Sequence, residues 1–129
     1  MPDLKRVVHI DDEPDIREIV RMSLALVGGL EVEQYPSGEE ALSHIADVNP
    51  DLVLLDVMMP NMDGEETYQH IREIDSLKDI PIVFMTAKAS NADLAKLRDL
   101  GAIDVLIKPF DPMTLADQVK AIYRDAKAA

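Results

Sequence analysis

Five short apolar segments, separated by stretches with helical periodicity, constrain the fold of this chain more than any other feature. Between these segments, apolar residues recur every three or four positions, as on one face of an amphipathic helix. Five strands alternating with five helices predict an α/β domain: a doubly wound, five-stranded parallel sheet with right-handed crossovers. The predicted strands are Arg6–Ile10, Leu30–Tyr35, Leu52–Leu55, Pro81–Met85 and Ile103–Ile107.

Local signals support the helices between these strands. The third and fifth strands are apolar almost throughout, which is typical of parallel strands covered by helices on both faces. The third helix is expected from Gly64 to about Ile74 and the fourth from Ser90 to Leu100. Caps and breakers agree with this pattern: Pro14 near a helix start, Ser37 with Glu40 at capping-box spacing, Asp111 before Pro112, and Gly28 and Gly101 at helix ends.

Size and composition limit the classes of protein that are possible. The 129 residues predict one domain spanning 1–129, with no output domain attached. Because there is no cysteine, disulfides and thiolate chemistry are excluded, and with no long apolar run a cytoplasmic location is expected. A formal charge of -12 disfavours direct binding to nucleic acid or to an anionic membrane.

Acidic residues follow two of the predicted strands. Asp11 and Asp12 come after the first strand and Asp56 after the third, so a parallel sheet brings all of them to one edge. Carboxylates gathered in this way repel one another unless a cation or a proton intervenes. Oxygen ligands without histidine or cysteine favour Mg²⁺; Ca²⁺ is the weaker alternative, because the spacing does not match an EF-hand loop.

Asp56 has the properties of a nucleophile. With an ordinary aspartate pKa of about 3.9 it is ionised at neutral pH and needs no general base. The three histidines fall within a strand or on helices, so a serine or cysteine nucleophile with a histidine partner has no support. Thr86 and Lys108 end the fourth and fifth strands, where a hydroxyl and an ammonium would meet the charge on phosphoryl oxygens. A cis bond from Lys108 to Pro109 would aim the lysine inward.

These residues resemble the receiver domains of two-component response regulators, a family typified by the chemotaxis response regulator. The resemblance covers nearly the whole chain and rests on four motifs: HIDDEPD, LLDVMMPNMDG, VFMTA and KPF. It implies a flavodoxin-like sheet with strand order 2-1-3-4-5. It also implies that Asp56 is phosphorylated and that Thr86 and Lys108 contact the phosphoryl oxygens. The implied ligands of Mg²⁺ are Asp11, Asp12, Asp56 and the backbone carbonyl of Met58.

The resemblance further implies a signalling cycle. A histidine kinase or histidine phosphotransfer protein would donate the phosphoryl group, and the domain would catalyse only its own phosphorylation and dephosphorylation. The face around the fourth helix, fifth strand and fifth helix would then change its affinity for a downstream protein target or for a second copy of the chain. Val105 stands where family members often carry Tyr or Phe, which departs from the usual aromatic readout, although a β-branched residue suits a strand.

Two other functions fit parts of the pattern. A phosphorylation-independent interaction module would keep the fold without using phosphate, and the Val105 departure is compatible with it. A phosphatase of the haloacid-dehalogenase type also uses an aspartate, Mg²⁺, a threonine and a lysine. That class usually has a second acid two residues after the nucleophile, where this chain has Met58.

Overall fold

The fold is that of a five-stranded parallel sheet enclosed by helices, in a computed structural model that describes residues 3–88 and 90–128. The strand order is β2-β1-β3-β4-β5, which confirms the predicted order and fold class. The strands are β1 Arg6–Ile10, β2 Glu31–Tyr35, β3 Leu52–Asp56, β4 Ile82–Thr86 and β5 Asp104–Ile107. The α-helices are α1 Pro14–Arg21, α2 Gly38–Val48, α3 Gly64–Arg72, α4 Asn91–Leu100 and α5 Leu115–Ala128.

Every predicted strand boundary agrees with the observed one to within a single residue. β2 begins at Glu31 because the Leu30 N–H donates to the Leu24 carbonyl at 2.9 Å and so belongs to the preceding helical segment. β3 and β4 each gain one residue at the carboxyl end, Asp56 and Thr86, because the ladder continues that far. Both site residues therefore lie at the ends of strands, where the backbone is fixed by its neighbours.

The helices divide the core into two layers, one on each face of the sheet. Val53 and Leu55 of β3 pack on the face covered by α2, α3 and α4. Leu52 and Leu54 pack on the opposite face, covered by α1 and α5. β3 is central and buried on both faces, which confirms the predicted reason for its continuous apolar sequence: helices cover both of its faces.

For β5, the prediction that helices cover both faces of the strand is wrong. It lies at the edge of the sheet with β4 as its only strand neighbour among the described residues, and Ile107 is 45% exposed. Its apolar sequence therefore reflects partial cover rather than burial on both faces. Val105 is the buried residue of this strand and belongs to the core on the α2–α4 side.

Three helix boundaries also differ from the prediction. α4 begins at Asn91, one residue late, because Ser90 is its N-cap and its side chain accepts from the Asp93 N–H. α3 ends at Arg72, two residues early, because Ile74 is the cap of a short 3₁₀ turn at Asp75–Leu77. Asp111 was predicted to cap the last helix directly. Its side chain accepts from the Met113 N–H at 2.9 Å and caps a turn, and regular α-helix starts only at Leu115.

The extension of α1 is a feature that the helical periodicity does not predict. Residues Met22–Val27 form a π-helix, in which the Gly28 N–H donates to the Ser23 carbonyl five residues earlier. The Ser23 hydroxyl, buried, donates to the Pro112 carbonyl at 2.6 Å. This bond ties the π segment to the loop between β5 and α5.

Candidate functional site

The predicted site residues come from the carboxyl ends of four parallel strands. Asp11 and Asp12 follow β1, Asp56 ends β3, Thr86 ends β4 and Lys108 follows β5. β1, β3 and β4 are adjacent in the sheet, so the segments that follow these strands lie side by side. The structure thus brings together at one sheet edge residues that are up to 97 positions apart in the chain.

Acidic side chains form a cluster at this edge. One carboxylate oxygen each from Asp11, Asp12, Glu13 and Asp56 lies within 4.8 Å of the others. Asp11 and Asp56 are buried, Asp12 is half-buried and Glu13 is exposed, so the cluster opens to solvent on one side. Glu13 was not predicted as a ligand; it belongs to the cluster because the turn after β1 directs three successive acids to the same edge.

Lys108 is paired with the two buried acids. Its Nζ donates to Asp11 Oδ2 and to Asp56 Oδ1, both at 3.1 Å, and lies 3.9 Å from Glu13 Oε1. The side chain is 12% exposed, so these pairs are shielded from water. The Lys108 N–H donates to the Thr86 carbonyl at 2.8 Å, and the bond from Lys108 to Pro109 is cis.

Thr86 lies at the end of the neighbouring strand and is buried. Its hydroxyl oxygen accepts a hydrogen bond from the Lys88 N–H at 3.0 Å. Thr86 lines a small cavity of about 140 Å³, together with Val57, the exposed Met58 and Lys88. A hydroxyl at the wall of this cavity is placed to donate to a group bound there.

Glycine allows the loop after β3 to close tightly against the site. Gly64 begins α3, and its N–H donates to the Val57 carbonyl at 2.9 Å. A Cβ at this position would overlap the carbonyl oxygen of Asp56 and lie 2.8 Å from Val57 Cα. Any larger residue would therefore push directly on the backbone that carries Asp56.

Two carboxylate oxygens of the cluster are buried and have no hydrogen-bond partner among the described residues: Asp12 Oδ1 and Asp56 Oδ2. Buried anionic oxygens without a partner are costly, and oxygen-only donors on a partly open edge are what Mg²⁺ binds. The cluster therefore fits the ion that its chemistry predicts. The Met58 side chain points to solvent, being 58% exposed, and the role of its backbone carbonyl stays a prediction.

Burial and neighbouring charges set the ionisation of the cluster. Burial, reinforced by the negative charge of Asp11, raises the pKa of Asp56 to about 6, against the pull of Lys108. Roughly nine in ten Asp56 side chains are then still ionised at pH 7. Burial also acts to raise the pKa of Asp11, but His9, the Glu13 N–H and Lys108 together hold it below its ordinary value. Burial opposes the charge of Lys108, yet the two carboxylates raise its pKa overall.

His9 is a neighbour of the cluster that was predicted to lie within the first strand and was not predicted as a site residue. It is fully buried in β1, and its Nε2 lies 3.7 Å from Asp11 Oδ2. A sequence signal for this contact exists, because side chains two residues apart in a strand point to the same face, and His9 precedes Asp11 by two. Burial lowers the pKa of His9, so the ring is neutral at pH 7.

Solved structures and curated proteins resemble this chain closely. The chemotaxis response regulator CheY4 of Vibrio cholerae superposes with a TM-score of 0.85 at 32% identity, covering 92% of this chain and 98% of that one. "Probable transcriptional regulator ycf27" of Guillardia theta is 39% identical over 97% of this chain and 48% of its own length. Transcriptional regulatory protein ResD of Bacillus subtilis is 36% identical over 94% of this chain and 49% of its own. The chain thus spans about half the length of the curated relatives it matches.

The strand order is that of a flavodoxin-like α/β domain, and its carboxyl edge carries an acid cluster, paired with a lysine, that could hold a divalent cation. The family model for the response regulator receiver domain matches residues 7–120. The chain therefore belongs to the response regulator receiver domain family and is a receiver domain of a two-component system. Receiver domains partner with histidine kinases or phosphotransfer proteins and generally bind Mg²⁺.

Membership of this family confirms the predicted function class and does not favour the two alternatives, an interaction module that works without phosphate and a dehalogenase-type phosphatase. None of the helices in ranges 3–88 and 90–128 is long and apolar enough to cross a membrane.

Proposed function

We propose that Asp56 is the residue of this receiver domain that accepts the phosphoryl group, donated by a phosphohistidine of a kinase or phosphotransfer protein. The observation that carries the proposal is Asp56 Oδ2, a buried carboxylate oxygen with no partner among the described residues, on the same side chain that Lys108 holds through Oδ1. One oxygen is thus anchored and the other is free to react.

In the proposed transfer a carboxylate oxygen of Asp56 forms a bond to phosphorus. The bond between phosphorus and the donor's imidazole nitrogen breaks, and its electron pair stays on that nitrogen, which takes up a proton. Asp56 needs no base, because it is already ionised in most molecules at neutral pH. The product is an acyl phosphate whose oxygens lie within reach of donors from neighbouring strands.

The donors proposed for the phosphoryl oxygens are the Lys108 ammonium and the Thr86 hydroxyl. Lys108 Nζ already lies 3.1 Å from Asp56 Oδ1, and Thr86 lines a cavity whose wall includes Val57, the residue after Asp56. Asp11, Asp12, Asp56 and the Met58 carbonyl would hold Mg²⁺, which supplies positive charge against the phosphoryl oxygens when bound. Positioning and charge of this kind account for most of the catalysis in phosphoryl transfer.

The downstream partner is proposed to be a protein that binds the face formed by α4, β5 and α5. Curated relatives are named as transcriptional regulators, and this chain matches about half of their length. We propose that any nucleic-acid binding in this system belongs to regions outside such a receiver domain, because the formal charge of the chain is -12. Phosphorylation would change affinity for the protein partner or for a second copy of the chain.

The test is intact-mass measurement after incubation with acetyl phosphate and Mg²⁺. Wild-type protein is expected to gain the mass of one phosphoryl group, and Asp56→Asn none. Asp79→Asn, a matched change at an exposed aspartate, is the control and is expected to behave as wild type. Phosphorylation of Asp56→Asn at the wild-type rate would overturn the proposal.

A further inference from the structure

A chain of hydrogen bonds beneath the acid cluster fixes the side-chain amide of Gln34. Its nitrogen lies 2.7 Å from the Arg17 carbonyl, a group that can only accept. Its oxygen lies 3.1 Å from Arg21 Nε, a group that can only donate. Turning the amide over would set oxygen against oxygen and nitrogen against nitrogen, so the orientation of Gln34 is determined by its neighbours.

The fixed amide determines the tautomer of His9. His9 pairs with Gln34 across β1 and β2, and the Gln34 amide nitrogen lies 3.1 Å from His9 Nδ1. Because that nitrogen is a donor, Nδ1 must accept, and the single proton of a neutral imidazole must be on Nε2. A second proton on Nδ1 would face the amide N–H, so the contact itself opposes a charged ring.

The protonated nitrogen faces the acid cluster. His9 Nε2 is buried and has no hydrogen-bond partner within residues 3–88 and 90–128, and the carboxylate oxygen it faces is Asp11 Oδ2, at 3.7 Å. This separation is longer than a hydrogen bond, which needs about 2.7–3.2 Å. A shift of less than 1 Å would close it.

We propose that His9 is a positioning residue for the acid cluster, presenting its Nε2–H to Asp11 Oδ2 and so orienting that carboxylate from beneath the site. The inference deepens the proposed function, since the cluster is taken there as the site of phosphorylation. Donors behind a ligating carboxylate fix its rotamer and strengthen metal binding. His9 touches neither the reacting oxygen nor the ion; it acts through Asp11.

The same geometry gives His9 a role during the reaction. Asp11 Oδ2 is shared between His9 and Lys108, and Asp11 Oδ1 accepts from the Glu13 N–H at 3.0 Å. When Lys108 turns to a phosphoryl group on Asp56, Asp11 Oδ2 loses its ammonium partner. The His9 Nε2–H is then the donor that faces that oxygen, and the 3.7 Å separation is expected to close to a hydrogen bond.

The first experiment determines the tautomer in the intact chain. Long-range proton–nitrogen correlation spectra of ¹⁵N-histidine-labelled protein at pH 7 are expected to show His9 with Nε2 protonated and Nδ1 unprotonated. Its Nε2 proton is expected to move downfield on phosphorylation. A protonated Nδ1, or averaging between the two tautomers, would overturn the inference.

The second experiment separates the donor from the packing volume of the ring. His9→Leu fills the site without a donor and is expected to weaken Mg²⁺ binding about tenfold, measured by calorimetric titration without any phosphate donor. His9→Gln can place an amide N–H where Nε2 lies and is expected to stay within about threefold of wild type. His70→Leu, the same change at an exposed histidine of α3, is the control and is expected to match wild type.

Each remaining outcome has a defined meaning. A folded His9→Leu that binds Mg²⁺ as wild type does, or a His9→Gln that is as weak as His9→Leu, overturns the inference. If His9→Leu fails to fold, the tautomer spectrum of the wild type decides. If the wild type is not phosphorylated but the tautomer and Mg²⁺ results hold, the proposed function fails while the role of His9 behind Asp11 stands.

Discussion

At the scale of single residues, the proposed reaction requires Asp56 to be ionised, whereas its surroundings disfavour the ionised form. Asp56 is 3% exposed and lies beside the buried charge of Asp11. Lys108 relieves this repulsion only in part, because it is shared between both acids. The folded state without metal therefore holds an anion that burial disfavours, and binding of a cation is the natural compensation.

The first prediction concerns the stability of Asp56→Asn in metal-free buffer. Burial and Asp11 raise the Asp56 pKa from 3.8 to about 6, so the folded state prefers the protonated acid. The stability from this preference is present below about pH 4 and is lost as the pH rises through about 6. Asparagine stays neutral, so Asp56→Asn is expected to be more stable than wild type by about 1–3 kcal/mol at pH 7.5.

Urea unfolding with EDTA at pH 4.5 and pH 7.5 measures this difference. The advantage of Asp56→Asn is expected to grow with pH, whereas Asp79→Asn at an exposed site is expected to show no such growth. A variant no more stable than wild type at pH 7.5 would contradict the prediction.

At the scale of elements, the site depends on how α3 begins directly after the loop that follows Asp56. Asp63 and Glu66 form a capping box at its first turn: Asp63 Oδ1 accepts from the Glu66 N–H at 2.9 Å, and the Glu66 side chain accepts from the Asp63 N–H. Gly64 follows at once and packs against the Asp56 carbonyl. The cap thus fixes both the start of α3 and the backbone next to Asp56.

The second prediction is that Asp63→Ala destabilises the fold by about 1 kcal/mol, because the first turn of α3 loses its side-chain acceptor. Asp79→Ala removes the same charge from an exposed position and is expected to change stability by less than about 0.5 kcal/mol. Urea midpoints of the two variants, compared with wild type, measure the difference. Equal midpoints for both variants would mean that the cap contributes nothing.

At the scale of the whole molecule, net charge and the metal site act on stability by different routes. A formal charge of -12 means that the compact state is opposed by self-repulsion, which any salt screens. A bound divalent ion acts through mass action on the folded state alone. The two effects can be separated by comparing salts at equal ionic strength.

The third prediction is that MgCl₂ stabilises the wild type beyond NaCl of the same ionic strength, by about 2.7 kcal/mol at 100 times the dissociation constant. Asp12→Asn is expected to lose most of this extra stabilisation while keeping the response to NaCl, because Asp12 Oδ1 is a buried oxygen of the cluster that has no hydrogen-bond partner among residues 3–88 and 90–128. Thermal melts in the two salts measure the increments. An undiminished Mg²⁺ increment in Asp12→Asn would remove Asp12 from the ligand set.

Much of the fold follows from local patterns in the sequence. Apolar runs and helical periodicity predict the strands and helices, since each pattern expresses a preference of the local backbone and one buried face. The gathering of Asp11, Asp12 and Asp56 follows as well, because strands that run parallel end at the same edge. Sequence could not predict the π-helix Met22–Val27 or the start of α5 at Leu115, because their backbone bonds depend on contacts with other segments, such as the one from Ser23 to Pro112.

Inside the site, the order of residues specifies which chemical groups meet, whereas their ionisation and hydrogen bonding depend on the folded packing. The residue types at the predicted strand ends place carboxylates, an ammonium and a hydroxyl at the carboxyl edge of the sheet. Which oxygens are already occupied, why the Asp56 pKa rises to about 6, and which nitrogen of His9 carries the proton depend on burial and on partners distant in the chain. The physical reason is that ionisation and hydrogen bonding respond to every neighbouring charge and dipole in space, and only the folded packing of α1, the sheet and the segment after β5 that carries Lys108 sets those distances.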